Sequence, residues 1–448
     1  MGATRDTIAA VATPPGRGGV AVVRVSGPRA HAIACAVTGR ALPARRAVFC
    51  RFRDADGQTL DEGLALYFAA PASFTGEDVA EFQGHGSPVV CDLLLARVLE
   101  LGARLAEPGE FSLRAFLNDR LDLVQAEAIA DLVASRSEQA ARAALRSLDG
   151  AFSREVHALV AELTRLRVYV EAAMDFPDED IDFLADQALR DGLAALQSAF
   201  EALDEATRQG RLLAEGFTVV IAGPPNAGKS SLLNALAGSE TAIVTPIPGT
   251  TRDILREQIV VEGMPLHVLD TAGLRDTVDV IEQEGLRRAR GELDRADHAL
   301  MVVDGSATTP DEIAWLRTEL PDGLPHTLVL NKLDLGHSAA FKPPPDGAVA
   351  VSALTGAGLS ALRGALCQAA GLGEDATTTL SARRRHLDAL ERARAHLDEG
   401  IRQLEQHGAA ELLAEELRLA QDALGTVTGR VTSDDLLGEI FSSFCIGK

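Results

Sequence analysis

The sequence predicts a multidomain α/β and α chain. An α+β domain spans residues 1–118, and a helical domain is assembled from two flanks, 119–215 and 371–448. A doubly wound domain, 216–370, is inserted between those flanks. Three observations predict this. Gly223 to Ser230 reads GPPNAGKS, the G-x-x-x-x-G-K-[ST] pattern of a phosphate-binding loop, between an apolar β-branched run and a helical one. Residues 216–370 alternate strand and helix patterns, whereas both flanks are rich in Ala, Leu, Glu and Arg at helical spacing. The first 118 residues are instead rich in Val, Gly and Pro, with period-two alternation interrupted by helical stretches.

Composition bounds the function classes. The 448 residues are 46% hydrophobic and 24% charged, a globular balance. Aromatics make up 4%, so the core must be built mainly from Leu, Val, Ile and Ala. No apolar run reaches the roughly 18–20 residues of a membrane span. The N-terminal stretch lacks a signal-peptide core, and Asp6 occupies the Ser/Thr position of a myristoylation signal. The expected compartment is the cytosol, with no membrane partner. Cys35, Cys50, Cys91, Cys367 and Cys445 show no C-x-x-C spacing, which argues against a disulfide frame or a zinc site. The net charge of −22 opposes indiscriminate nucleic-acid binding and requires any such partner to find a local basic patch or a second protein.

Taken in order, Val20–Val25 and Leu64–Phe68 read as strands and Pro88–Leu101 as a helix. Turns are expected at Pro14–Gly19, Phe74–Asp78 and Gln83–Gly86. Val124–Leu148 and Leu189–Leu213 read as long amphipathic helices, with a proline-marked acidic loop over Asp175–Asp180. Phe217–Ala222 reads as a buried strand, and Ser231–Ala237 as a helix stopped by Gly238. Beyond the nucleotide domain, Arg383–Leu404, Ala410–Leu424 and Asp434–Phe444 read as helices.

The phosphate loop lies on a strand-to-helix turn, where Asn226, Ala227, Gly228, Lys229, Ser230 and Ser231 can present main-chain N–H groups to phosphate. Lys229 is expected on the β- and γ-phosphates and Ser230 on Mg²⁺. Asn331-Lys332-Leu333-Asp334 follows an apolar strand. A carboxylate there, Asp334, accepts two hydrogen bonds from guanine N1–H and the 2-amino group, a pairing adenine cannot match. Asn331 braces the loop and the Lys332 stem packs on the base. Ser352, Ala353 and Leu354 follow another strand and offer an N–H to the guanine oxygen. Asp270-Thr271-Ala272-Gly273 ends a further strand. Asp270 reaches Mg²⁺ through water, and the Gly273 N–H meets the γ-phosphate. Thr251, in Pro248-Gly249-Thr250-Thr251-Arg252-Asp253, supplies a hydroxyl to Mg²⁺. The four motifs in this order resemble a Ras-like P-loop GTPase domain with GTP as substrate. After the DTAG stretch stands Leu274, which cannot orient water as a glutamine would. Glu282 is a candidate for that work, or else a solvated carboxylate on a helix face.

Motifs outside this domain narrow the resemblance. ATPPGRGGVAVVRVSG, FTGEDVAEFQGHG, FLNDRLDLVQAEAIADLV, YVEAAMDFPDEDIDF and the C-terminal LLGEIFSSFCIGK resemble the MnmE (TrmE) family of tRNA-modification GTPases over the whole chain. That resemblance implies an N-terminal folate-binding-like domain holding a one-carbon tetrahydrofolate derivative, and a homodimer formed through it. It implies a flavoprotein partner, MnmG (GidA), joined in a heterotetramer. The pair would add a carboxymethylaminomethyl or aminomethyl group at C5 of the wobble uridine of certain tRNAs. It also implies K⁺-dependent hydrolysis with transient pairing of the GTPase domains. By the same carry-over, K⁺ is held by Asn226, Thr245, Ile247 and Thr250, and Thr245, Pro246, Ile247, Pro248, Gly249 and Thr250 border the nucleotide. Glu282 orients the water, and Arg252 and Asp253 are functional positions. The folate residues are Arg24, Glu81, Arg120 and Lys448, with Cys445 functionally important. Two positions depart from the family pattern: Pro224 stands where a basic residue is expected, and Arg120 where a lysine is.

Alternatives stay open in the sequence. Cys445 reads as a catalytic thiol or a buried apolar cysteine, since Gly447 and Lys448 fit prenylation poorly. His85 reads as an acid/base group or a structural histidine. Arg383-Arg384-Arg385-His386 reads as a tRNA phosphate contact or a solvated helix start. A ribosome-assembly GTP switch of the Era type would share the nucleotide motifs but calls for a basic RNA-binding module, and the N-terminal domain shows none. In a third reading that domain is only a dimerisation scaffold.

Overall fold

The computed structural model describes residues 6–135, 137–175, 187–238, 256–270, 296–318, 320–321, 323–336, 345, 347–371, 380–431, 433–442, 444 and 447. Two compact units emerge. One comprises Met1–Ala130, Ser147–Leu196 and Arg392–Lys448, the other Asp131–Arg146 and Gln197–Glu391.

The first unit begins with β1 (Ile8–Val11), β2 (Gly18–Ser26), α1 (Ala30–Thr38), β3 (Val48–Arg53), β4 (Thr59–Phe68), β5 (Val79–Gly86), α2 (Pro88–Glu100), β6 (Arg104–Leu105) and α3 (Glu110–Leu117). The strands form one sheet in the order β3-β4-β5-β2-β1-β6, antiparallel except for β1 with β6. Alternation along the strands divides its faces. Val23, Val25, Ala80 and Phe82 turn towards Ile33 and Val37 of α1 and Leu94 and Val98 of α2, with Phe52 edge-on to Phe82 at 5.5 Å. Arg24 and Glu81, opposite each other in the β2–β5 register, have the alternate parity. The Gln83–Gly86 segment, expected as a turn, is the end of β5. Its glycines serve strand approach instead. A Cβ on Gly86 would lie 2.5 Å from the Gly18 carbonyl oxygen.

Four helices follow: α4 (Leu123–Ala134), α5 (Glu138–Leu148), α6 (Ala151–Asp175) and α7 (Gln187–Glu215). The single helix expected over Val124–Leu148 is thus two. Ser135 Oγ donates to the Leu132 carbonyl at 2.7 Å, and the Ala140 N–H donates to Ser137 Oγ at 3.1 Å. Serine side chains that satisfy backbone groups locally end one helix and cap the next, which apolar periodicity does not register. The acidic segment 176–180 lies outside the described residues.

The second unit contains β7 (Phe217–Ala222), α8 (Lys229–Ala237), β8 (Arg256–Val261), β9 (Met264–Asp270), β10 (His298–Asp304), α9 (Pro310–Thr318), β11 (His326–Asn331), β12 (Val349–Ala350) and α10 (Leu359–Ala369). The sheet order is β12-β11-β10-β7-β9-β8, parallel apart from the β8–β9 hairpin. β10 is apolar from Ala299 to Val303 because both its faces are covered. Leu300 and Val302 join the cluster with Leu232 and Leu236 of α8 and Leu362 and Leu366 of α10. Met301 and Val303 join Ile313 and Leu316 of α9. This is the doubly wound arrangement the sequence predicts.

The chain continues with α11 (Arg384–His407), α12 (Ala410–Thr428) and α13 (Asp434–Ser442). In the first unit α12 packs along α6, where the Gln421 amide donates to Thr164 Oγ1 at 2.6 Å. Ile440, Phe441 and Phe444 close over Leu123 and Ala126. Among the described residues, no helix is long and apolar enough to cross a membrane.

Candidate functional site

In the second unit, parallel strands bring their carboxyl ends to one edge, the place where ligands bind in open α/β sheets. The phosphate loop leaves β7 at Gly223, where a Cβ would lie 2.1 Å from the Val302 carbonyl oxygen of β10. Only glycine fits that approach. Asn226 and Gly228 adopt left-handed backbone, at φ 63° and 89°. Lys229 opens α8, and its Nζ donates to the carbonyls of Gly223 and Pro224 at 2.9 and 3.0 Å. The ammonium therefore lies across the loop it belongs to. Ser230 and Ser231 follow in the first helical turn, where main-chain N–H groups lack helical partners.

Asn331, 2% exposed, joins two loops. Its Nδ2 donates to the Ala227 carbonyl at 2.9 Å, and its Oδ1 accepts from the Ala353 N–H at 3.1 Å. Asp334 sits in the short 3-10 turn Leu333–Leu335, and the buried Ser352 hydroxyl donates to its Oδ1 at 2.5 Å. One carboxylate oxygen is thereby oriented. Lys332 has left-handed backbone, and its Nζ lies 2.7 Å from Asp304 Oδ2 at the end of β10. Burial pushes the Asp304 carboxyl up, but hydrogen bonds from Lys332 and Ser306 outweigh it and hold the group below the ordinary carboxylate range. Leu354 is 84% exposed beside this edge. The fold thus gathers Asn226–Ser231, Asn331, Lys332, Asp334 and Ser352–Leu354. Asp270 ends β9, with its main chain in register with Ile221 of β7. Thr245, Pro246, Ile247, Pro248, Gly249, Thr250, Thr251, Arg252, Asp253, Thr271, Ala272, Gly273 and Glu282 lie outside the described residues.

The first unit carries a second polar constellation. Arg24 Nε donates to Glu81 Oε1 at 2.9 Å, and Nη1 donates to the Gly447 carbonyl at 3.4 Å. The guanidinium lies 5.5 Å from the Phe74 ring centre and 5.7 Å from that of Phe111. Gly447 has φ 97°, and a Cβ there would lie 2.6 Å from the Val11 carbonyl oxygen, so Gly447 itself is seated closely on β1. Arg120 is exposed, and its stem approaches Gly76. Cys445 and Lys448 lie outside the described residues.

His85 is exposed on β5, with Nδ1 2.7 Å from Asp61 Oδ1 and its main-chain N–H donating to Asp61 Oδ2 at 2.8 Å. The Asp61 hydrogen bond raises the imidazole pKa above its ordinary 6.5. The stability from this pair is present in full below that ordinary value and is lost as pH rises through the folded one. An NMR titration should find His85 above 6.5 in the native protein and back near it in Asp61→Asn; an unshifted native value would remove the pairing.

Residues 7–120 match the family described as the GTP-binding protein TrmE N-terminus, and residues 123–445 match the MnmE helical domain. The tRNA modification GTPase MnmE of Alkalilimnicola ehrlichii is 60% identical over 99% of this chain and 100% of its own length. This chain belongs to the MnmE family of tRNA modification GTPases. The MnmE of Pseudomonas aeruginosa strain UCBPP-PA14 is 58% identical, with both chains covered in full. Among solved structures, Aquifex aeolicus Era bound to GDP·AlF4⁻ is 27% identical, covering 40% of this chain and 66% of that one at a TM-score of 0.27. As a MnmE-family enzyme, the chain is a GTP hydrolase acting in tRNA modification, and tRNA is its macromolecular partner.

Some residues of these sites have no local signature. Asp304 is the anchor of Lys332, and its only signal is a carboxylate ending an apolar strand. Phe74 and Phe111 flank Arg24 from a loop and a helix remote from it in sequence.

Proposed function

We propose that this GTPase binds GTP at the strand-end edge of its second unit and works with K⁺ and Mg²⁺. We further propose that it delivers a one-carbon tetrahydrofolate derivative to wobble-uridine modification together with the flavoprotein MnmG. The observation that carries the nucleotide reading is the convergence of Lys229, Asn331, Lys332, Asp334 and Ser352 on one edge. Asp334 reads the guanine, and Ser352 orients the carboxylate that does so. Asn331 holds the phosphate loop to the base loop. Lys229 exchanges its loop carbonyls for phosphate oxygens. Ser230 and Thr251 suit Mg²⁺, with Asp270 behind it; Asn226, Thr245, Ile247 and Thr250 suit K⁺. All are oxygen donors, as these hard cations require. Bound there, the cations would neutralise charge developing on the phosphates. Glu282 orients the attacking water in place of a glutamine, with Arg252 and Asp253 supporting the same region.

Arg24, Glu81, Arg120 and Lys448 are proposed for the folate, which supplies the one-carbon unit. The fit is chemical: the Glu81 carboxylate can accept from a pterin N–H face, the Phe74 and Phe111 rings offer apolar walls, and arginines suit carboxylates. Cys445 is proposed as functionally important in the same C-terminal stretch of sequence. We also propose a cytosolic homodimer, joined through the N-terminal domains and forming a heterotetramer with MnmG.

The test is GTP hydrolysis in K⁺ and in Na⁺ at matched ionic strength, beside Asn226→Ala and Glu282→Ala. Hydrolysis should be roughly 10²–10³-fold slower in Na⁺ and in Glu282→Ala, with GTP affinity kept, and Asn226→Ala should lose the response to K⁺. Equal rates in both salts would sink the cation mechanism. Binding of 5-formyltetrahydrofolate that survives in Arg24→Ala and Glu81→Ala would sink the folate site.

A further inference from the structure

The net charge of −22 repels a polyanion from most of this surface. Residues 39–53, GRALPARRAVFCRFR, are an exception: they hold Arg40, Arg45, Arg46, Arg51 and Arg53 and no carboxylate. The fold displays them on one edge. α1 ends in Gly39, the next segment bonds the end of β4 through the Arg45 N–H and the Tyr67 carbonyl, and β3 is the outermost strand of its sheet. Arg40, Arg45, Arg46 and Arg51 are exposed. A Cβ on Gly39 would lie 3.8 Å from Arg53 Nε, which brings Arg53 to the same corner as Arg40.

These arginines are clustered, and they lack close carboxylate partners. Several exposed helix arginines, by contrast, are matched one turn away: Arg142 with Glu138, Arg165 with Glu162, Arg402 with Glu399, Arg418 with Glu415 and Asp422. Arg383, in the basic run singled out by the sequence, is bound by Asp131. Among the described residues, no carboxylate lies within ion-pair distance of Arg40, Arg45, Arg46 or Arg53, and Arg51 meets only Glu62, at 3.7 Å with both side chains well exposed. Phe49 is 65% exposed and shares a strand face with Arg51, by alternation.

We propose that the arginine-bearing edge formed by residues 39–53 binds the phosphate backbone of tRNA. The chemistry fits on three counts. Guanidinium forks match phosphate oxygens bidentately, uncompensated cations release counterions on contact, and an exposed ring can stack on an unpaired base. The family's established partner is a nucleic acid, and this edge offers it the opposite charge on an otherwise acidic protein.

The test titrates full-length protein into a fluorescently labelled unmodified tRNA transcript over a series of salt concentrations. Arg40→Gln, Arg46→Gln and Arg51→Gln are combined in one variant. Its tRNA affinity should fall roughly 10–100-fold at low salt, and the slope of log affinity against log salt should decrease by about 2–3. Its melting temperature and its GTP hydrolysis without tRNA should stay at wild-type values. The same three positions changed to lysine should keep most of the slope, which separates charge from misfolding. Wild-type affinity and slope in the glutamine variant would overturn the proposal, even if MnmG binding weakened. So would an equal loss in the lysine variant, or loss of the whole salt dependence in Arg384→Gln/Arg385→Gln instead.

Discussion

Asp334→Asn should weaken GTP binding by about 100-fold or more while raising affinity for xanthosine triphosphate. In the proposed contact, both carboxylate oxygens accept from guanine, from N1–H and from the 2-amino group. The amide puts an NH₂ donor against one of these donors. A lost charge-assisted hydrogen bond plus an unsatisfied donor costs about 3 kcal/mol, which is the 100-fold. Xanthine carries an oxygen at C2 and accepts from that NH₂, so the change inverts preference instead of merely weakening it. Ser352 sharpens the expectation. Its hydroxyl occupies Oδ1 at 2.5 Å and fixes the carboxyl plane, so Ser352→Ala should cost less, roughly fivefold. Calorimetric titration of both nucleotides into both variants decides it. GTP affinity within threefold of wild type in Asp334→Asn would remove this residue from base reading.

Arg114→Met should destabilise the first unit by about 3–5 kcal/mol, lowering its melting temperature by roughly 6–20 °C. Arg114 is 3% exposed and satisfies a dense group of acceptors. Nη2 donates to Asp6 Oδ1 at 2.8 Å and to Glu110 Oε1 at 2.9 Å. Nη1 reaches Glu77 Oε1 at 3.1 Å and the Asp6 carbonyl at 3.0 Å. Removing the cation leaves Glu110, itself buried, with Arg104 as its remaining cation and the Glu107 N–H as a neutral donor. The pH dependence has a definite sign. Burial pushes the Glu110 and Asp6 carboxyls up, but hydrogen bonds from Arg104 and Arg114 prevail and hold both low. Groups with depressed folded values stabilise above their unfolded values and lose that contribution as pH falls through the folded ones. The deficit of Arg114→Met should therefore narrow on acidification. Calorimetry at neutral and acidic pH measures it, and a melting temperature unchanged at neutral pH would show that the network contributes nothing net.

The placement of the nucleotide motifs at strand ends was legible because its signals are local. Phe217–Ala222 is a strand at the expected residues, and GKS, NKLD and SAL each sit within a few residues of a strand end. The tie from Asn331 to its neighbouring loops follows from that placement. The anchor of Lys332 does not, since Asp304 lies 28 residues upstream and no spacing rule links them. Arg24 and Glu81 are 57 residues apart, and their pairing is fixed by strand register, which a sequence does not display. Gln83–Gly86 was misread because glycine marks tight turns and close strand approach alike. The division of the 124–148 helix turned on two serine side chains, a capping effect weaker than the apolar period that masks it.

Asn331 has a kinetic consequence. One amide holds the Ala227 carbonyl of the phosphate loop and the Ala353 N–H of the loop proposed to meet the base. The two ends of a bound nucleotide would then be gripped by loops that cannot slacken independently. If either loop draws away from the amide, the tie between the two is lost at the same moment. Residence time would depend on this one side chain more steeply than affinity does. Asn331→Ala would therefore shorten dwell and speed exchange, even at nucleotide concentrations high enough to keep the site full.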